Sequence, residues 1–377
     1  MSRSLGLMVL LVGWMAAALA QAGGTSTGSD LDQFDRKGDF SLIISHVVDQ
    51  RTFYGLASYY NSVGFYKVGA DGVAALEPGQ SITLAKDDWF AAVGRFNVLL
   101  LNTPGITLEI GEQTFKVTSS PPLTLHSSIV LKDNLREISP ELDQLRYYHL
   151  WWPFAQLARL MEWSLIHLKA LSGLGWGMTI VLFTVLLKIL LVPLGILSVR
   201  MQDQVSQHKS KLAPVLEKIK AKYDGEEAHN RIIAAHKELG ITTFFVLKPM
   251  LVMFIQFPIW IAVFNALGEM PQLDNQSFLW IQNLAYPDSI ATLPIALPLL
   301  GDSVSLLPLL MTLVTIVSAL LFQDRHAPAE ELKRQKRNLY LMALAFFVLF
   351  YPFPAAMVLY WTLSNALQIV QQQVSQQ

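Results

Sequence analysis

The 377-residue chain predicts a polytopic α-helical membrane protein preceded by a small all-β domain outside the cytoplasm. Three observations carry that reading. Only 15% of the residues are charged and 52% are hydrophobic, where a soluble domain carries about 25% charged residues, and the shortfall is concentrated after residue 150. Five long apolar stretches follow that point, whereas the chain before it consists of short β-type runs between turn residues. Lysine and arginine then alternate between one set of connections and the other. The net charge of −1 gives no argument for nucleic acid or for an acidic partner. The lack of cysteine excludes disulfides, thiolate metal sites, a cysteine nucleophile and a lipidated N-terminal cysteine.

At the N-terminus, "MSRS" is a short basic region, Leu5–Ala20 an apolar stretch and "ALAQA" a small-residue cleavage pattern. Residues 1–22 thus read as a signal peptide, with an uncleaved signal anchor as the alternative. In both cases the following segment lies outside the cytoplasm. "GGTSTGSD" is a flexible linker. The runs "FSLIISHVV", "WFAAVGRFNVLLL", "ITLEI" and "QTFKVTSS", with Gly, Pro, Asp and Asn between them, predict a small antiparallel sandwich within 23–145. Its His46 and His126 have no ligand-spaced partners and read as ordinary histidines.

Residues 146–173 read as an amphipathic helix on the outer membrane surface, because aromatics cluster in "WWPFAQLARLMEWSLIHLKAL" while Arg159, Glu162 and Lys169 are spread along it. The core, 174–377, follows with spans at about 175–199, 248–268, 303–323, 335–351 and 355–374. The last two are too long together for one helix, so "YPFP" (Tyr351–Pro354) reads as a tight turn between them. Nine lysines and arginines lie in 200–248 and five in 324–338, but none in 269–302. By the positive-inside rule the β domain and the 269–302 loop are outside, and the 200–247 segment and the C-terminus are cytoplasmic. Apolar residues at three- and four-residue spacing (Met201, Val205, Leu212, Leu216, Ile219; Ala228, Ile232, Ala235) make 200–247 a helical hairpin turned at "DGE", with Pro214 kinking its first arm. The hairpin is either a self-packed solvated element or a docking arm presenting Lys209, Lys211, Lys218, Lys220 and Lys222.

"FTVLLKILLVPLG" places one cation, Lys188, near the middle of the first span. A charge there costs roughly 2.5–3.5 kcal/mol on insertion scales, and the side chain is too short to reach the interface by snorkelling. The spans contain no Asp or Glu to pair with it; Glu269 and Asp302 stand at their outer ends. They do contain neutral polar residues, among them Thr184 one turn before Lys188, Gln256 and Asn365. Such residues either bond helix to helix or line a wet hollow around the cation. A hollow of this kind suits the polar end of a translocating peptide. The rival readings are a proton- or solute-coupled transporter and a structural assembly factor. The first lacks a second titratable group and an internal repeat, and the second leaves Lys188 without a task. No catalytic motif or cofactor-binding loop appears.

From Trp151 to Gln373 the chain resembles the YidC-type insertases of the Oxa/YidC/Alb family. The stretches that carry the likeness are "LLKILLVPLG", "LAPVLEKIKAKYDG", "KPMLVMFIQFPIWIAVFNAL", "SFLWIQNLAYPD", "LPLLGDSVSLLPLLM" and "FPAAMVLYWTLSNALQIVQQQ", in that order. The resemblance implies a five-helix insertase core around a hydrophilic groove in the bacterial inner membrane, with the N-terminal domain periplasmic. It implies no enzymatic reaction and no cofactor. The partners it implies are nascent membrane proteins and membrane lipids, with the Sec translocon and the ribosome as further candidates. The family's groove cation falls on Lys188, its threonine on Thr184, and its substrate-lining aromatic pair on Tyr360 and Trp361. The chain departs from the family in having lysine for the usual arginine, "HKELGITTFFVLKP" after the hairpin, a tail without basic residues and a short external domain.

Overall fold

The computed structural model describes residues 32–37, 40–43, 47, 52–118, 124–238, 248–297, 300–321 and 329–375. The signal-peptide reading at 1–22 and His46 lie outside them, as does the side chain of His126.

The N-terminal region is β-rich. Strands β1 (Asp32–Lys37), β2 (Phe40–Ile43), β3 (Gly64–Gly69), β4 (Gly72–Leu76), β5 (Ser81–Thr83), β6 (Trp89–Val93), β7 (Asn97–Leu101), β8 (Thr107–Ile110), β9 (Thr114–Thr118) and β10 (Thr124–Leu131) form two antiparallel sheets. The larger has the order β1-β10-β7-β6-β3-β4, the smaller β2-β9-β8-β5. Phe65, Phe90, Leu99 and Leu101 of the first meet Leu108, Ile110, Phe115 and Val117 of the second in one core. The opposite face of the larger sheet is also covered: Val68, Ala91, Val98 and Leu100 pack on Leu135, Leu142 and Leu145 from helical turns at 132–145. Burial on both faces explains why "NVLLL" reads as a continuous apolar run rather than an alternation.

The rest of the chain is helical: α1 (Trp152–Ser172), α2 (Trp176–Lys222), α3 (Gly225–Glu238), α4 (Lys248–Glu269), α5 (Leu306–Leu321), α6 (Ala329–Phe350) and α7 (Ala355–Ser375). Helix α1 packs on α4 and α2, α4 on α2 and α7, α7 on α2 and α5, and α5 on α6. Among the described residues one helical segment, Trp176–Ser198 of α2, is long and apolar enough to cross a membrane, and α5 is a shorter apolar helix.

Three elements differ from the sequence reading. The first span and the first arm of the hairpin are one 47-residue helix, α2, which runs through Pro193 and Pro214. The third span starts at Leu306 rather than 303, because 301–305 is spent on strand β12 (Gly301–Ser305), paired with β11 (Ser289–Leu297). The fourth begins at Ala329, where the charged sequence "AEELKRQKR" has high helix propensity and extends the apolar part.

The β domain is seated on one end of the helices through 53–61. Phe53, Ala57 and Tyr60 join the helical core, Phe53 stacks on Tyr286 at 5.7 Å, and the Tyr60 hydroxyl meets the Met357 sulfur at 3.5 Å. Gly268 makes room for Tyr60, whose oxygen would lie 2.0 Å from a Cβ there. Arg95, 4% exposed in the β6–β7 turn, donates 2.7 Å hydrogen bonds to the carbonyls of Gly268 and Ala285. Gly268 is in the last turn of α4, whose orphan carbonyls carry the negative end of the helix dipole. The guanidinium also lies over the rings of Phe53, Tyr60 and Phe96 at 4.3–4.8 Å. A second cation, Lys132, pairs with Glu269 at 2.9 Å, both buried.

Beside these, Glu162 of α1 accepts from the Tyr147 hydroxyl at 3.0 Å and pairs with Arg146. Arg146 also lies 3.8 Å from Asp133, which accepts a bond from Gln272. Burial, helped by the neighbouring Asp133, pushes the Glu162 carboxyl up against the pull of Arg146; burial likewise pushes Asp133 up. A carboxyl raised on folding stabilises the fold fully below its unfolded pKa and loses that stabilisation as pH rises through the folded value. The unfolded values are 4.5 for Glu162 and 3.8 for Asp133, so the melting temperature of the junction should decline as pH climbs above about 4.5. Glu162→Gln should flatten that decline in a pH series of thermal melts. An unchanged slope would assign the decline to other groups.

Candidate functional site

Lys188 sits on α2, half-buried, with Ile189 and Leu190 beside it 61% and 72% exposed. Its ammonium donates to Oε1 of Gln368 on α7 at 3.1 Å. No carboxylate pairs with it among the described residues. Two turns beyond Lys188 on α2, and one turn beyond Gln368 on α7, the helices approach closely at Gly195, where a Cβ would lie 2.0 Å from the Gln371 amide nitrogen. Asn365, Gln368 and Gln371 recur at three-residue spacing, so α7 turns a row of amides toward the lysine-bearing helix. Gln371 Nε2 is buried and has no hydrogen-bond partner among the described residues. A buried donor left unpaired costs about 1–3 kcal/mol.

The other expected residues divide. Thr184 is fully buried and its hydroxyl donates to the Ile180 carbonyl of its own helix at 2.6 Å. Thr179, Thr312, Thr315 and Thr362 do the same one turn back. Gln256 is exposed on α4, beside exposed Phe257. Tyr360 and Trp361 are 5% and 4% exposed. The Trp361 ring packs among Trp260 at 3.9 Å, Phe350 at 4.9 Å, Phe346 at 5.5 Å and Phe264 at 5.6 Å. Its indole N–H is buried with no partner among the described residues. Trp361 and Gln368 are two turns apart on one face of α7, so the aromatic cluster and the amide row adjoin.

The helical hairpin of α2 and α3 closes on Leu212 and Ala235, with Leu216 and Ile219 against them. Lys218 and Lys222 are exposed. Tyr223 at the turn is covered by Arg231 at 3.9 Å, which pairs with Glu227 at 3.0 Å. The side chains of Lys209, Lys211 and Lys220 lie outside the described set.

Sequence reasoning singled out Lys188 and, on α7, Asn365, but not Gln368, Gln371 or the two seating cations, Arg95 and Lys132. The α7 spacing was a usable signal for Gln371. For Arg95 there was none, since its acceptors are backbone carbonyls 173 and 190 residues away.

Comparison with known proteins gives these elements a relation. A family described as 60Kd inner membrane protein matches residues 167–377. A Janthinobacterium protein (strain Marseille) named membrane protein insertase YidC is 27% identical over 348 residues, covering 85% of this chain and 57% of the relative. Proteins of the same name are 34% identical over 216 residues in Chlamydia trachomatis (55% of this chain, 26% of the relative) and 31% over 253 residues in an Anaeromyxobacter species (66% and 41%). The chain therefore spans between about a quarter and somewhat more than half the length of these relatives. The family match takes in more than half of the chain, from the end of α1 through α7, and with it the lysine, the amide row and the hairpin: the chain belongs to the 60Kd inner membrane protein family.

Proposed function

We propose that the protein inserts and helps fold integral membrane proteins. In this reading α2, α4, α5, α6 and α7 span the inner membrane, the β domain stands outside, and the α2–α3 hairpin and the C-terminus are cytoplasmic. The observation that carries it is Lys188, a cation among exposed apolar residues whose hydrogen-bond partner is the neutral amide of Gln368. A cation held by an amide stays available to an incoming carboxylate, which a buried ion pair would not allow. The adjoining amides offer donors and acceptors to the backbone of a segment that has left water and has not yet closed its own helix. The protein performs no chemical step of its own; it lowers the cost of carrying a polar segment into the bilayer. The relatives' name supports the same activity. Nascent membrane proteins are the substrates, delivered along the lysine-bearing hairpin, alone or beside the Sec translocon.

The test is photo-crosslinking to a stalled nascent single-span protein from Asn365 and Gln368, with exposed Leu190 as the comparison. Crosslinks at 365 and 368 that weaken in Lys188→Ala are expected. Crosslinks at 190 alone would move the substrate to the lipid-facing side and overturn the groove. No crosslinks from a folded protein, together with solute flux in liposomes, would bring the transporter forward.

A further inference from the structure

Immediately before α5, the β11–β12 ribbon carries large apolar side chains on its surface. Ser289, Thr292, Leu300, Asp302 and Ser303 line a cavity of about 320 Å³ with Thr52–Tyr54 of the β domain, Thr292 and Asp302 being themselves exposed. Turned outward are Ile290 (51% exposed), Ile295 (74%) and Leu297 (45%). No residue from 289 to 301 is charged. A solvated ribbon places its polar side outward, whereas this one exposes three large apolar side chains as well.

The base of the ribbon is fixed to the helices. The Asp288 carboxylate accepts from the Leu306 and Leu307 amides at 3.1 and 2.7 Å, capping α5, and from the Trp280 indole at 3.0 Å. The Tyr351 hydroxyl donates to the Ser303 carbonyl at 2.9 Å and accepts from the Ser305 amide at 3.1 Å. The apolar side of the ribbon therefore starts at the same level as the first turn of α5, whose own outward residues are Leu309 and Leu313, 45% and 56% exposed. Exposed apolar side chains thus stand on both the ribbon and the helix that follows it, with Asp302 the one charged residue between Ser289 and α5.

We infer that the β11–β12 ribbon lies in the outer headgroup–acyl boundary of the bilayer, with Ile290, Ile295 and Leu297 toward the acyl chains; this rests on the membrane-spanning reading of α2 and α5. The boundary is the depth this backbone tolerates. A two-stranded ribbon has open edges, which the hydrocarbon interior forbids and the hydrated interface satisfies. Pro294 removes one edge donor where the pairing is broken between Thr292 and Leu297.

The absence of native cysteines makes the test direct. A nitroxide is placed at Ile295→Cys, with Leu190→Cys as the α2 reference and Glu77→Cys as a β-domain reference. The full chain is reconstituted in phosphatidylethanolamine–phosphatidylglycerol vesicles, and accessibility to oxygen and to a water-soluble nickel chelate is compared. The expected ratio at 295 shifts from the aqueous value at 77 toward the lipid value at 190. A value at 295 equal to that at 77, with 190 in lipid, overturns the inference and leaves the spanning reading intact. Aqueous values at both 190 and 295 overturn the spanning reading itself. Low accessibility of 295 to both reagents means that protein covers the ribbon, and overturns the inference in favour of a second copy.

Discussion

Arg95→Ala should detach the β domain from the helices while leaving both folded. The substitution orphans two buried carbonyls, Gly268 and Ala285, at about 1–2 kcal/mol each. It also removes the cation from the faces of Phe53, Tyr60 and Phe96, worth about 1–2 kcal/mol where desolvated. The expected loss is about 3–6 kcal/mol on these terms. It would be read as a separate low-temperature melting transition and as new protease cleavage near 146–151, between the β domain and α1. Arg95→Lys should fall between the two proteins, because an ammonium keeps the charge but not the planar fork that reaches both carbonyls. A variant that melts and resists protease like the parent would mean the seating is held by Lys132–Glu269 and the aromatic contacts alone.

Lys188→Ala should cost most with substrates whose translocated segment is acidic. A carboxylate about 8 Å from the ammonium gains about 2 kcal/mol at an effective dielectric near 20, which converts to about 30-fold in occupancy. Insertion of an acidic-tailed reporter should therefore drop about 10- to 30-fold, whereas a neutral-tailed reporter should lose much less. Lys188→Arg should retain insertion of both. Equal losses for the two reporters would show that the lysine matters for packing on α7 and not for charge, and Gln368→Leu would then reproduce the defect.

The division into a β-rich region and a helical remainder was legible because its signals are local. Turn residues between short runs, long apolar stretches and alternating cation density need no knowledge of partners. Lys188 was legible for the same reason: a single charge in an apolar run has a cost that requires an explanation. The ribbon was not, since "SIATLPIALPLLG" is apolar and proline-interrupted and reads equally as loop or as the start of a span. Glu162 looked like the polar side of a surface helix, yet it is 2% exposed. Its neighbours Asp133 and Arg146 lie on other elements, so the helix period could not show which face was buried. Thr184 shared a face with Lys188 by spacing, but spacing does not say whether a hydroxyl looks into a hollow or back at its own backbone.

The unbroken length of α2 has a mechanical consequence. Its 47 residues make a rod of about 70 Å in which the turn carrying Lys188 and the tip of the hairpin are joined without a loop. Pro193 lies five residues beyond Lys188, and its ring nitrogen cannot donate to the Ile189 carbonyl, which leaves a soft point in the rod beside the lysine turn, with a second at Pro214. The arm from there to Lys222 is about 44 Å long, so a 10° swing about the proline moves the tip by about 8 Å while displacing the lysine turn by a small fraction of that. Leverage runs in the opposite sense for force: a weak pull at the tip becomes a strong torque beside Lys188, where α2 is bonded to α7.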